Sequence, residues 1–369
     1  VPAQSGSCVD PSTGSVSVGA AGIGFPGSLL SYQPTYSSHG AAEGKAGANW
    51  SDGINAEIAK SADGSFLLTD AQGSEFFLQP LGSLNQPVNG SGGQFAPVVE
   101  MYSTLKALSI ASDGTPGSFE QRDKDGTVTK FEKFGEKYLP ALVTDRNGNT
   151  ATYRREPDGT LTQATDIFGR SLGFAYNQGK VASVAASAPG LAAPKQVGYA
   201  YDAQGNLSQA SDANGDATAY GYAGNRLSTI TYANGGHTFY GYTPDGKVAS
   251  EADDDGSNRR SYAYFQSSTV VTDAFGRATT YEFLTKSGLK KVAKITDPLS
   301  GVTTFEYDAN MNLTLQTDAN RRATRFRYDD RGNVLTVTDA RFQPTQLASY
   351  DASFNQPGTV TDAKGNPTT

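Results

Sequence analysis

A short motif returns along the second half of this chain at spacings of 19 to 24 residues, and few folds accept such a period. It begins at Thr144-Asp145-Arg146-Asn147-Gly148-Asn149 and recurs at Asp166, Asp212, Asp273, Asp297, Asp318, Asp339 and Asp362. Asp254 is a looser copy, while Pro189 and Tyr232 keep the phase without the carboxylate. A period near 20 residues means that each copy is one supersecondary unit, too small to bury its apolar face alone.

Within a copy, the eighth and tenth residues after the Asp position are both aromatic in Phe174/Tyr176, Tyr220/Tyr222, Tyr240/Tyr242, Tyr262/Tyr264, Tyr281/Phe283, Phe305/Tyr307 and Phe326/Tyr328. Residues two apart share one face of a strand. The residue between them is small or charged, as at Gly221, Glu306 and Arg327, which suits a second face in different surroundings. Gly follows three residues after Asp145, Asp166, Asp212, Asp273 and Asp362, the preference of a tight turn whose Asp accepts backbone N–H bonds. A second turn closes the aromatic strand, best seen in Tyr201-Asp202-Ala203-Gln204-Gly205-Asn206-Leu207 and Tyr328-Asp329-Asp330-Arg331-Gly332-Asn333-Val334.

Each unit therefore reads strand, turn, strand, turn. A lone hairpin is marginal in water, so about ten of them must share one sheet and bury an aromatic face together. The expectation is an all-β chain, an extended and curled antiparallel sheet of hairpins, with cross-strand ladders of Tyr and Phe. Residues 1–140 are expected as an N-terminal β segment that starts the sheet, and 141–369 as the repeat array. The residues expected to carry the repeat are Asp145, Asp166, Asp212, Asp273, Asp297, Asp318 and Asp339, with Tyr220, Tyr222, Tyr281, Phe283, Phe305, Tyr307, Phe326 and Tyr328.

Composition agrees with strands and turns: 42 Gly, 19 Tyr and 18 Phe, and only 18% charged residues. A net charge of −7 lacks the positive footprint that a nucleic-acid partner requires. Cys8 is the single cysteine, so no intrachain disulfide holds the fold. No apolar run has the length of a membrane span, and no signal peptide is visible.

The alternation of Tyr-Asp-x-x-Gly-Asn-Leu with Thr-Asp-x-x-Gly and its aromatic strand resembles the YD repeats of the Rhs family. Those repeats also occur in the cocoon-forming subunits of insecticidal toxin complexes and in teneurins. The resemblance runs from Asp145 to Thr369 and extends more weakly to Asp10-Pro11-Ser12-Thr13-Gly14, to Phe25-Pro26-Gly27-Ser28-Leu29 with Tyr36, and to Trp50 with Asp63-Gly64-Ser65-Phe66-Leu67-Leu68. It implies a sheet wound into a hollow shell, enclosing a toxic C-terminal domain in larger relatives. Because the last copy breaks off at Lys364-Gly365-Asn366-Pro367, a partial or open shell is expected.

Chemistry has few candidates. His39 and His237 are the two histidines, and no HExxH, GxSxG or phosphate loop accompanies them. Asp297-Pro298-Leu299-Ser300-Gly301 looks like an aspartyl self-cleavage motif of Rhs relatives, but its phase makes it a turn. Asp253-Asp254-Asp255-Gly256 and Asp123-Lys124-Asp125-Gly126 cluster hard oxygen ligands without an EF-hand's distal Glu. No catalytic residue, cofactor or metal is assigned. The expected role is a structural scaffold in a secreted or surface-displayed bacterial protein, the wall of a toxin-encapsulating assembly. The alternative is an adhesion module binding glycans or a protein through exposed aromatics. The expected partners are a toxin domain, glycans, or other chains and further copies through an open sheet edge.

Overall fold

The computed structural model describes residues 8–40, 43–51, 54, 56–61, 65–70, 75–80, 94–97, 103–111, 115–286, 289–351 and 355–369. Every regular element among them is a β-strand, so no described helix is long and apolar enough to cross a membrane. The chain forms two compact units, Val1–Cys8 with Val16–Gly235, and Val9–Ser15 with Gly236–Thr369. Asp63 and Gly64, named in the sequence reading, lie outside the described residues.

In the first unit the large sheet begins at Glu57–Lys60 and runs through Phe66–Thr69, Glu75–Pro80, Gln94–Pro97, Thr104–Ile110, Pro116–Arg122, Val128–Phe134 and Lys137–Thr144, each antiparallel to the next. The eighth strand returns to the first, with Lys137 opposite Ala59 and Tyr138 opposite Ile58. The rest of that same edge, Leu142 to Thr144, pairs instead with Thr150–Arg155. One strand edge thus closes an eight-stranded ring and hands the sheet on to the repeats. A ring of eight strands is just wide enough for side chains to fill it. Ile58, Phe66, Leu68, Leu105, Ala107, Phe119, Phe131 and Tyr138 do so. Phe119 lies edge-on to Phe66 at 5.1 Å and to Tyr138 at 4.8 Å, and the Tyr138 hydroxyl donates to the Pro116 carbonyl.

The described residues between 16 and 51 lie outside the large sheet. Val16–Gly19, Thr35–Ser37 and Trp50–Ser51 form a small sheet, and Ile23–Gly24 pairs with Ser31–Tyr32. This segment covers the aromatic face of the first repeats. Tyr32 meets Phe174 and Tyr199 edge-on at 5.4 and 5.8 Å, and Trp50 meets Tyr220 at 5.1 Å. Trp50 therefore caps the array from the small sheet, outside the large one. Gly47 is needed at this contact: its φ is +111°, and a Cβ there would stand 3.1 Å from the Leu207 nitrogen.

The second unit continues the hairpin pattern from His237–Tyr242 to Pro367–Thr368. The turn Asp10-Pro11-Ser12-Thr13-Gly14 clips across three of its repeats. Gly14 O accepts from Val248 N, Pro11 O from Thr269 Oγ1, and Ser12 O from Lys290 Nζ. Beyond Phe283, Met311 is the one apolar side chain fully buried among the described residues.

The ladders differ from the expected stacks of rings. Equivalent rings on successive hairpins are two strands apart, roughly 9.5 Å, beyond ring contact. Their cross-strand partners are mostly aliphatic: Phe174 faces Val184, Tyr220 faces Ile230, Tyr281 faces Ile295 and Phe326 faces Val337. Only with the aliphatic strand between them do the rings make a continuous apolar face.

The turns are type I followed by a left-handed residue. The Gly148 nitrogen donates to Asp145 O and the Asp145 nitrogen to Asn149 O, with Gly148 at φ +81°. Four later copies keep the Asp but place Ser300, Met311, Arg321 and Phe342 in that conformation, at φ 60–64°. A Cβ there costs about 1–2 kcal/mol, offset in part by the greater freedom of Gly in the unfolded chain. Arg321→Gly is expected to stabilise the chain by about 0.5–1 kcal/mol, read as a raised urea midpoint; an unchanged or lower midpoint would contradict the strain.

Candidate functional site

The carboxylates picked out by the repeat each organise a turn. Asp Oδ1 accepts the N–H groups of the second and fourth residues after it: Asn147 and Asn149 at Asp145, Phe168 and Arg170 at Asp166, Asn214 and Asp216 at Asp212, Phe275 and Arg277 at Asp273. Asp297 takes Leu299 and Gly301, Asp318 takes Asn320 and Arg322, and Asp339 takes Arg341 and Gln343 in the same way. Oδ2 often receives the side chain of the fourth residue, Asn149 Nδ2 at 2.7 Å or Arg170 Nε at 2.6 Å. Arg170 and Arg277, absent from the residues expected to carry the repeat, stand at that fourth position.

The second ring of each aromatic pair has a different task from the first. Tyrosine hydroxyls donate to a backbone carbonyl of the preceding repeat, among them seven described ones: Tyr176 to Leu161, Tyr201 to Val181, Tyr222 to Leu207, Tyr264 to Val248, Tyr307 to Val292, Tyr328 to Leu313 and Tyr350 to Val334. Each of those seven acceptors stands at a β-bulge, where the pairing register slips by one residue. A bulge interrupts the ladder, and a buried carbonyl left by the interruption needs another donor. The exception supports the rule: Tyr264–Thr269 pairing carries no bulge, and the next ring is Phe283, which has no hydroxyl. Tyr281, Phe305 and Phe326 are half-buried first rings, and Tyr220 is buried.

The groups with catalytic or ligating potential are occupied by local structure. His237 Nδ1 lies 2.9 Å from Asp254 Oδ1, its backbone N–H donates to Asp254 Oδ2, and its ring stacks on Phe239. Asp253 accepts from Asn258 Nδ2 and Thr238 Oγ1, Asp255 from Ser257 N, and Asp123 from Ser103 Oγ and Gln121 Nε2. Among the described residues no group of three His, Cys, Asp or Glu side chains is placed to hold a metal. His39 is exposed in a turn.

One buried carboxylate was invisible in the sequence. Glu251 sits on the aromatic face of the second unit, 6% exposed, and its Oε1 accepts from Arg260 Nη1 at 3.0 Å and Tyr262 OH at 2.8 Å. The hydrogen bond from Arg260 to Glu251 holds the guanidinium above its ordinary pKa, and burial pushes the Tyr262 phenol up. Arg260 and Tyr262 line a cavity of about 450 Å³ that also reaches Asp273, Arg277 and Tyr281.

The sequence profile of the family described as RHS Repeat matches residues 201–237 and 310–341, two stretches that each hold a Tyr-bearing turn and the strands around it. These two stretches are Rhs repeats. No curated protein sequence matches it. Among solved structures it is similar to the TcdB2-TccC3-Cdc42 crystal structure, at 13% identity and a TM-score of 0.42 over 81% of this chain and 17% of that one. TcdB2-TccC3 without its hypervariable C-terminal region gives 11%, 0.41, 94% and 22%. The Tc holotoxin pore of Photorhabdus luminescens gives 11%, 0.39, 96% and 24%. The Rhs-repeat chain spans about a fifth of the length of those chains.

Two outcomes follow from the turn and bulge geometry. Tyr307→Phe is expected to cost about 1 kcal/mol in urea unfolding by leaving the Val292 carbonyl without its donor, whereas Phe283→Tyr gains nothing; equal effects would contradict the pairing of hydroxyl with bulge. Burial alone would raise the carboxyl groups of Asp145, Asp166, Asp202 and Asp273, but the hydrogen bonds they accept hold all four below the ordinary Asp value. A lowered folded pKa gives stability that is complete above the unfolded value, about 3.9, and lost as pH falls through the folded one. The urea midpoint should therefore hold from about pH 8 to 5 and fall below about pH 4, less steeply when the four are Asn. A main loss near pH 6 would contradict this.

Proposed function

We propose that this Rhs-repeat chain is a structural scaffold, a stretch of the wall of a secreted or surface-displayed bacterial assembly that encloses a toxin domain. Residues 1–140 supply the closing ring and the covering segment, and 141–369 supply the repeated wall. The observation that carries the reading is that the repeated polar groups are committed to the backbone: carboxylates to turn N–H groups and tyrosine hydroxyls to bulge carbonyls. Groups serving catalysis would instead converge on open space. The similar solved structures, a Tc holotoxin pore and TccC3 complexes, support a toxin-associated wall. A sugar-binding role draws less support, because stacking on a sugar needs bare ring faces and most first rings lie against aliphatic neighbours.

The test joins proteolysis to ligand screening. A scaffold should resist trypsin at 37 °C despite its 30 Lys and Arg residues, because cleavage requires opening of paired strands, and should bind no glycan on an array. Saturable sugar binding that is abolished by Tyr281→Ala, or rapid cleavage throughout the repeats, would overturn the scaffold reading.

A further inference from the structure

The pentad Asp-x-Phe-Gly-Arg occurs twice, as Asp166-Ile167-Phe168-Gly169-Arg170 in the first unit and Asp273-Ala274-Phe275-Gly276-Arg277 in the second. Both copies fold alike. Arg Nε donates to Asp Oδ2 at 2.6 and 2.7 Å, and the guanidinium lies over the Phe ring at 5.2 and 5.1 Å.

Their surroundings differ. In the first unit the tip of the hairpin Ile23–Tyr32 covers the pentad. Phe25 lies under the guanidinium of Arg170 at 5.3 Å, and Ser28 Oγ donates to Asp166 Oδ2 at 3.0 Å. Tyr32 completes the cover edge-on to Phe174. Beneath it Ala151, Ala164 and Leu172 are fully buried, and the side chain of Asp166 is 4% exposed.

Strand pairing gives the equivalent positions in the second unit. Asp166 faces Ala151 as Asp273 faces Arg260, and Ala164 faces Tyr153 as Val271 faces Tyr262. Thr279 and Tyr281 stand where Leu172 and Phe174 do, six and eight residues after the Asp. Those residues line the cavity of about 450 Å³, and the side chains of Asp273 and Arg277 are 30% and 63% exposed. The seat that Phe25 and Ser28 fill in one unit is open in the other.

The geometry points to this cavity as a docking seat for a turn of another polypeptide, one that carries an aromatic residue followed three positions later by Ser or Thr. The aromatic ring takes the open face of Arg277, a cation–π contact strengthened by exclusion of water. The hydroxyl donates to Asp273 Oδ2, as Ser28 does to Asp166. Arg260 replaces Ala151 and Thr279 replaces Leu172, so the seat is more polar than its filled counterpart and suits a partner that comes and goes. This inference does not depend on the scaffold reading, since it rests on the comparison of two pentads.

The probe is a fluorescein-labelled peptide with the sequence of residues 21–34, titrated with the full chain and followed by anisotropy. Saturable binding with Kd between about 10 and 100 μM is expected, as for a small unconstrained turn. Arg277→Ala should weaken it at least tenfold, and so should Phe25→Ala within the peptide. Thr279→Trp fills the cavity without touching the pentad and should do the same, which keeps the test decisive if Arg277→Ala fails to fold. Arg170→Ala should leave the affinity unchanged. No saturation by about 1 mM, or binding indifferent to Thr279→Trp, would overturn the proposal.

Discussion

The tyrosine hydroxyl that reaches a bulge carbonyl in the preceding repeat is the contact on which the array depends. A hairpin can shift its register at small cost unless something fixes it, and a slip of one residue would turn its aromatic face outward. Here the bulge sets where the Leu or Val carbonyl stands, and the next repeat's Tyr must meet it there. Tyr328 on Leu313 and Tyr350 on Val334 show the link passing from one repeat to the next. Each hairpin thus reports its register to its neighbour. The Asp-centred turns fix the other variable, the loop length, by collecting two N–H groups on one carboxylate oxygen.

Coverage of the aromatic face is the second level of organisation, and it comes from the chain's N-terminal residues. Bulges disturb N–H groups as well as carbonyls, and this segment supplies the acceptors in each unit. Lys45 O takes Val181 N and Tyr36 OH takes Leu227 N in the first unit, while Gly14 O takes Val248 N in the second. Rings and hydrogen bonds are thereby settled together, which is why Tyr32, Tyr36 and Trp50 are almost wholly buried while Phe305 and Phe326, beyond the cover, are half-exposed.

The strands, the turns and the shared aromatic face were legible because period, alternation and Asp-Gly spacing are properties of short sequence windows. Tyr220 with Tyr222, or Phe326 with Tyr328, could be put on one face by counting. The difference between the two rings of a pair could not, because it depends on a bulge in another repeat about 15 residues earlier. The cover by residues 16–51 and the buried Glu251 were equally hidden. Both arise from contacts between segments far apart in sequence, where Tyr36 and Leu227, for example, have no local signal in common. Arg170 and Arg277 were readable in principle, since each stands four residues after the Asp whose Oδ2 it binds.

Bulge and hydroxyl act as one device, and a double-mutant cycle tests that most directly. At the bulge between Glu306 and Tyr307, Thr314 is the extra residue between Leu313 and Leu315, and deleting it restores a regular ladder. In the native background Tyr328→Phe should cost about 1 kcal/mol, and in the Thr314-deleted background close to nothing, so that the coupling energy equals the whole effect. An identical cost in both backgrounds would mean that the hydroxyl serves the sheet independently of the bulge, and would contradict the account.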